Sequence, residues 1–173
     1  MPELYTKIED ATELHPGDHI SWPTEMFPNV LSHHAIVIAW EKESWFRVIH
    51  VTADGPASLG SSAVCSSGIP GSYKVRKESV DLCEHMSNGH LRRYDYKRGD
   101  CYEPSEVIEK AESKIGEFHF HISGNNCEHF AQLCKTGKSV SDQAECAKDI
   151  FYCTCRLIKA AASGSGAGAA YKT

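Results

Sequence analysis

Cys127 stands in Asn125-Asn126-Cys127-Glu128-His129-Phe130, at the predicted first turn of a helix and directly behind two good N-cap residues. Upstream, two stretches with strand character carry histidines: His33-His34-Ala35-Ile36 and Val48-Ile49-His50. A thiol at a helix N-terminus is moved toward thiolate by the positive end of the helix dipole, and an imidazole beside it takes the proton. Together they are the minimal equipment for nucleophilic acyl transfer. Alternation along an extended strand sets His33, Ala35 and Val37 on one side and His34, Ile36 and Ile38 on the other. One of the two histidines, therefore, is expected to partner Cys127. His50, on the neighbouring strand, is placed to orient that partner as the third member of a triad.

Metal binding is the rival use of these residue types. Cys153-Thr154-Cys155 lacks the two-residue gap of a zinc knuckle, and Cys127-Glu128-His129 has no matching second pair. His119, His121 and His129 fall in different local structures. No metal and no cofactor is expected. Cys134, Cys146, Cys153 and Cys155 read as small buried hydrophobes in or beside helices.

The elements that must position these groups follow from pattern. His15-Pro16-Gly17-Asp18 is a turn signal, and His19-Ile20-Ser21-Trp22 is a short strand stopped by Pro23. Ala35–Trp40 and Trp45–Thr52 read as paired strands around a polar connection at Glu41-Lys42-Glu43-Ser44. The Ser- and Gly-rich stretch from Ala57 to Ser72 reads as exposed loop. Tyr73–Val75 begins another strand, and Leu91–Tyr96 has strand character. Pro104 suits the first turn of a helix whose buried face is Val107, Ile108, Ala111 and Ile115, with Gly116 as its stop. Phe118–Ile122 is a short link or strand. The nucleophile helix buries Cys127, Phe130, Ala131 and Cys134 and ends at Gly137. A third helix is expected over 141–158.

Composition narrows the function classes. The chain has 173 residues, 41% of them hydrophobic, enough for one core. A formal charge of -5 and only the small basic groups Lys74-Val75-Arg76-Lys77 and Arg92-Arg93 argue against nucleic acid as a partner. The first ten residues contain no apolar run and are no secretory signal. No window approaches the roughly 20 apolar residues of a membrane span. Eight cysteines then read as reduced thiols, and a cytoplasmic location with peripheral membrane association is expected.

Four motifs make the chain resemble the lecithin:retinol acyltransferase-like family, which includes the HRAS-like suppressor phospholipases and acyltransferases. They are Pro16-Gly17-Asp18-His19-Ile20, Ser32-His33-His34-Ala35-Ile36-Val37-Ile38, Val48-Ile49-His50-Val51, and Ala111–Gly116 followed by Asn125–Ala131 and Lys135-Thr136-Gly137. The last block is the specific one. The resemblance covers roughly residues 13–143. It implies Cys127 as nucleophile, His33 as general base and acid, and His50 as the orienting third residue. It implies an α+β architecture of the circularly permuted papain-like type, an antiparallel sheet packed on helices with the nucleophile at a helix N-terminus. The chain order histidine, histidine, cysteine agrees with that permutation.

The implied activity is a cysteine-dependent acyltransferase or phospholipase, acting on glycerophospholipid acyl esters at a membrane surface through a thioester. Backbone N–H groups at the helix start, with His19, are candidate oxyanion donors. The rival readings are a non-catalytic interaction or signalling protein of the same fold, and a papain-like cysteine peptidase. The expected organisation is a polar leader over 1–14, a catalytic domain over 15–158 and a flexible Ala/Gly/Ser-rich tail over 159–173. The chain departs from the family pattern at the Glu41–Trp45 hairpin insert, at His34 where an aromatic is common, and at a C-terminal Ala160–Gly166 stretch too polar to anchor in a bilayer.

Overall fold

A computed structural model describes residues 4–24, 32–53, 73–119 and 125–141. The expected helix over 141–158, the loop Ala57–Ser72 and the tail lie outside the described residues, Ser141 apart. Seven strands form one antiparallel sheet: β1 (Leu4–Lys7), β2 (His19–Pro23), β3 (Ser32–Lys42), β4 (Trp45–Ala53), β5 (Tyr73–Asp81), β6 (Arg92–Asp95) and β7 (Gly116–Phe118), in the order β1-β6-β2-β3-β4-β5-β7. Among the described residues three α-helices accompany it: α1 (Cys83–Ser87), α2 (Pro104–Glu112) and α3 (Cys127–Thr136). The architecture is α+β, as expected.

The long central hairpin β3–β4 follows from its β-branched and aromatic residues and turns at Glu43 with φ of 48°. Its alternation sorts side chains as the period of two requires. Ala35 and Val37 join Trp22, Phe46, Val48, Leu82 and Leu91 in a core on one face. Ile36, Ile49, Val51 and Val75 join Val107, Ala111, Cys127, Phe130, Ala131 and Cys134 in a core on the other, under α2 and α3.

Three expectations change. The stretch read as a polar leader carries β1, which pairs with β6 from Leu4–Asp95 to Lys7–Arg92. Ile8 and Leu14 behind it are buried in the first core. The polar residues of this segment hid two apolar anchors spaced too far apart to show a period. Helix α2 stops at Glu112, and Ile115 lies beyond it and is exposed. The Ser113 hydroxyl bonds the Lys110 carbonyl and closes the last turn. Gly116 then starts β7, with φ of 137° that favours glycine. Finally, β5 runs the full nine residues to Asp81, and its second half becomes important at the site.

Candidate active site

Helix α3 begins as its sequence requires. Asn126 is the N-cap: its side-chain oxygen accepts from the His129 N–H at 3.0 Å, and the His129 ring reaches back toward the Asn126 N–H. Gly137, in the left-handed region with φ of 75°, ends the helix. Cys127 is therefore the first helical residue, and it is buried.

The sulfur of Cys127 meets the backbone of β3. Its thiol donates to the Ser32 carbonyl at 3.6 Å. The His34 backbone N–H also points at the sulfur, as do the N–H groups of Cys127 and Glu128 at the helix start. The register of β3 with β4 runs from Ala35–His50 toward the hairpin. Cys127 docks just beyond that register, on the two peptide groups that flank His33. Burial pushes the thiol up to about 12, while the backbone N–H groups pull it the other way.

His33 and His50 are brought together. His50 stands opposite Ala35, so His33 is its diagonal neighbour on the same face. Their rings meet edge to face, with His33 Nε2 2.8 Å from His50 Nδ1. The other nitrogen of His50 lies 3.2 Å from Glu78 Oε2. Glu78 is in turn diagonal to His50 on β5, where His50 pairs with Arg76. Trp22 packs against the His33 ring at 4.9 Å. Burial, with His50, His34 and His85 nearby, holds the His33 imidazolium far below its usual range, so the ring is neutral. Its Nδ1 is buried and has no hydrogen-bond partner.

Cys127 and His33 are not hydrogen-bonded to each other. Cys127 enters from the Ile36–Ile49 face, and His33 projects to the Trp22–Ala35 face. His34 is the histidine on the Cys127 side. Its Nδ1 lies 2.8 Å from His19 Nε2, and His19 Nδ1 lies 2.7 Å from the Tyr96 hydroxyl. Tyr96 donates to Gln132 Oε1 of α3 at 3.2 Å. His34 is held down to about 4 by burial, despite the favourable charge of Glu128. Both ring nitrogens of His19 are thus engaged, and its ring stacks on Tyr94 at 4.4 Å. That leaves His19 no N–H for an oxyanion and corrects its suggested role.

Glu78 and Tyr96 escaped the sequence reading. The Arg76, Glu78, Val80 alternation was visible, but which strand faced His50 was not. Among the described residues no cluster of three His, Cys, Asp or Glu side chains forms a metal site. No described helix is long and apolar enough to cross a membrane.

The profile of the lecithin retinol acyltransferase family matches residues 12–140. Over 89 residues the chain is 40% identical to mouse (Mus musculus) lecithin retinol acyltransferase, covering 49% of this chain and 37% of that protein. It is 27% identical over 158 residues to human (Homo sapiens) phospholipase A and acyltransferase 3, covering 89% and 85%. Rat (Rattus norvegicus) phospholipase A and acyltransferase 1 is 30% identical over 134 residues, covering 75% and 72%.

Proposed function

The chain belongs to the lecithin retinol acyltransferase family, and from that membership we propose that it is a lipid acyltransferase or phospholipase that works through a Cys127 thioester. The observation that carries the reading is the bare Nδ1 of His33. A buried ring nitrogen without a partner is costly unless something is meant to meet it. Since His50 occupies Nε2, Nδ1 is the nitrogen left for a proton from Cys127.

The steps balance as follows. The Cys127 S–H proton passes to His33 Nδ1 as the sulfur leaves the Ser32 carbonyl. The thiolate attacks the ester carbonyl carbon of a glycerophospholipid, and the backbone N–H groups at the start of α3 receive the developing oxyanion. The C–O bond breaks, His33 returns its proton to the departing lysolipid oxygen, and the acyl chain remains on sulfur. Water, an alcohol or an amine then attacks the thioester while His33 takes its proton. The Cys127 sulfur leaves and recovers that proton. The chain order His33, His50, Cys127 fits a circularly permuted papain-like arrangement.

A second assignment of the base is favoured by one observation: His34 shares the Cys127 face of the sheet. Its Nδ1, however, is committed to His19. The test is intact-mass spectrometry of the full chain after incubation with phosphatidylcholine vesicles. A fatty-acyl adduct in wild type and in His34→Phe, absent in Cys127→Ala and slowed about 10²- to 10⁴-fold in His33→Gln, is expected. Loss in His34→Phe with retention in His33→Gln makes His34 the base. No adduct and no lysolipid from folded wild type sinks the reading.

A further inference from the structure

We propose that Glu78 is a positioning residue of this site, fixing through His50 the tautomer that leaves His33 Nδ1 bare. The inference deepens the acyl-transfer reading and rests on it for its catalytic meaning. The argument starts at the outer end of the relay. Glu78 is partly exposed, and the hydrogen bond from His50 holds its carboxyl below the ordinary range against the effect of partial burial. Arg76 Nη1, 3.7 Å from the other carboxylate oxygen, adds to the same effect. An ionised carboxylate only accepts. His50 must therefore place its proton on Nε2, toward Glu78 Oε2 at 3.2 Å.

In that tautomer Nδ1 of His50 carries a lone pair. That atom accepts from His33 Nε2 at 2.8 Å, so His33 carries its proton there. The remaining nitrogen of His33, Nδ1, is left as a lone pair. This is the form a general base needs, and it is the nitrogen that lacks a partner. Were His50 protonated at Nδ1 instead, His33 Nε2 would have to accept, and Nδ1 would carry the proton and be useless as a base. Diagonal contacts across three strands thus transmit one carboxylate charge to the nitrogen proposed to take the thiol proton: Glu78 on β5, His50 on β4, His33 on β3.

The register explains why these residues can do this. His50 pairs with Arg76, which puts Glu78 two residues along on the same face, and Ala35 pairs with His50, which puts His33 two residues along on the other side. Each step is a same-face diagonal within reach of long side chains. Substitution of Glu78 removes the acceptor without touching Cys127 or the core beneath α3.

The test uses the full chain, labelled with 15N, and long-range 1H–15N correlation of the imidazoles without lipid, with His33 and His50 assigned by loss of signals in His33→Gln and His50→Gln. Wild type is expected to show both rings protonated at Nε2 alone. Glu78→Val, which keeps a strand-forming side chain but no acceptor, is expected to give tautomer-averaged signals in both rings. Glu78→Gln, whose amide oxygen still accepts, is expected to restore the wild-type pattern. In acyl-adduct formation, Glu78→Val should lose on the order of 10- to 100-fold in kcat with little change in KM, and Glu78→Gln should recover most of it. Unchanged tautomers in Glu78→Val, or His33 protonated at Nδ1 in wild type, overturn the proposal. If the tautomers shift as expected and no acyl adduct ever forms, the Glu78 relay stands and the acyl-transfer reading falls.

Discussion

The thiol of Cys127 donates to the main-chain oxygen of Ser32 at 3.6 Å, so the proposed nucleophile is held on the strand that carries its proposed base. The sulfur rests beside the backbone of His33 without touching its imidazole. Its N-terminal helical position alone would favour thiolate, but burial wins and lifts it to about 12. The pair is thus a neutral thiol and a neutral imidazole.

Cys127 should accordingly resist alkylation. Burial lifts its thiol from 9.0 to about 12, which lowers the thiolate fraction about a thousandfold at neutral to mildly basic pH. Iodoacetamide at pH 8 followed by peptide mass mapping should modify exposed Cys83 well before Cys127 and Cys134, both buried. Early carboxamidomethylation of Cys127 in the folded chain contradicts the buried thiol.

Stability should fall on mild acidification. His19, His33 and His34 are all held below the ordinary 6.5 by burial. Above pH 6.5 neither folded nor unfolded chain protonates them, and their contribution to stability is intact. Below it the unfolded chain takes up protons that the folded chain refuses, so stability is lost as pH falls toward the folded values. For His34, displaced from 6.5 to about 4, that loss is roughly 3 kcal/mol. The lowered carboxyls Glu78 and Asp81 act in a different window, below their ordinary 4.5 and 3.8. Urea midpoints measured at pH 7.5, 6 and 5 should therefore drop steadily. A flat profile between 7.5 and 5 would show that these rings are not buried neutral.

Gly17 should tolerate no side chain. Its φ is +89°, and a Cβ there would stand 2.7 Å from Pro104 Cα, which is backbone and cannot swing away. Its carbonyl accepts from the buried Lys135 ammonium of α3 at 2.8 Å, and its N–H donates to Val37. Gly17→Ala should cost about 2–4 kcal/mol by combining left-handed strain with overpacking at the joint between α2, α3 and the sheet. Gly137→Ala, also left-handed with φ of +75°, would meet the end of the Tyr102 side chain rather than backbone and should cost about 1 kcal/mol. Equal denaturation midpoints for the two variants would contradict this ordering.

Much of the site was legible because its signals are local. A cap, a cysteine one residue later and a glycine ten residues on define α3 by short-range hydrogen bonding and backbone sterics. Alternation of two told that His33 and His34 face opposite ways, and the sheet obeys it. The hairpin itself followed from two apolar runs around a polar turn, but two irregularities, between Val37 and Ala39 and between Trp40 and Lys42, shift its register so that Ala35 faces His50 and His33 lies diagonal to it. Sequence also placed Cys127 among the apolar residues of α3, on the face it does bury.

Tertiary structure decided the rest, because it depends on which strands lie side by side and at what offset. No local rule sets β5 beside β4 so that Glu78 falls diagonal to His50, or brings Tyr96 to the far nitrogen of His19. Only assembly shows that α3 approaches the His34 face, so that Cys127 reaches the β3 backbone before it reaches His33. Residue types and their chain order determined what chemistry this protein is equipped for. Register, burial and the hydrogen bonds they impose decided which of these residues meet, since a one-residue slip of any strand would turn its own member of the relay to the opposite face.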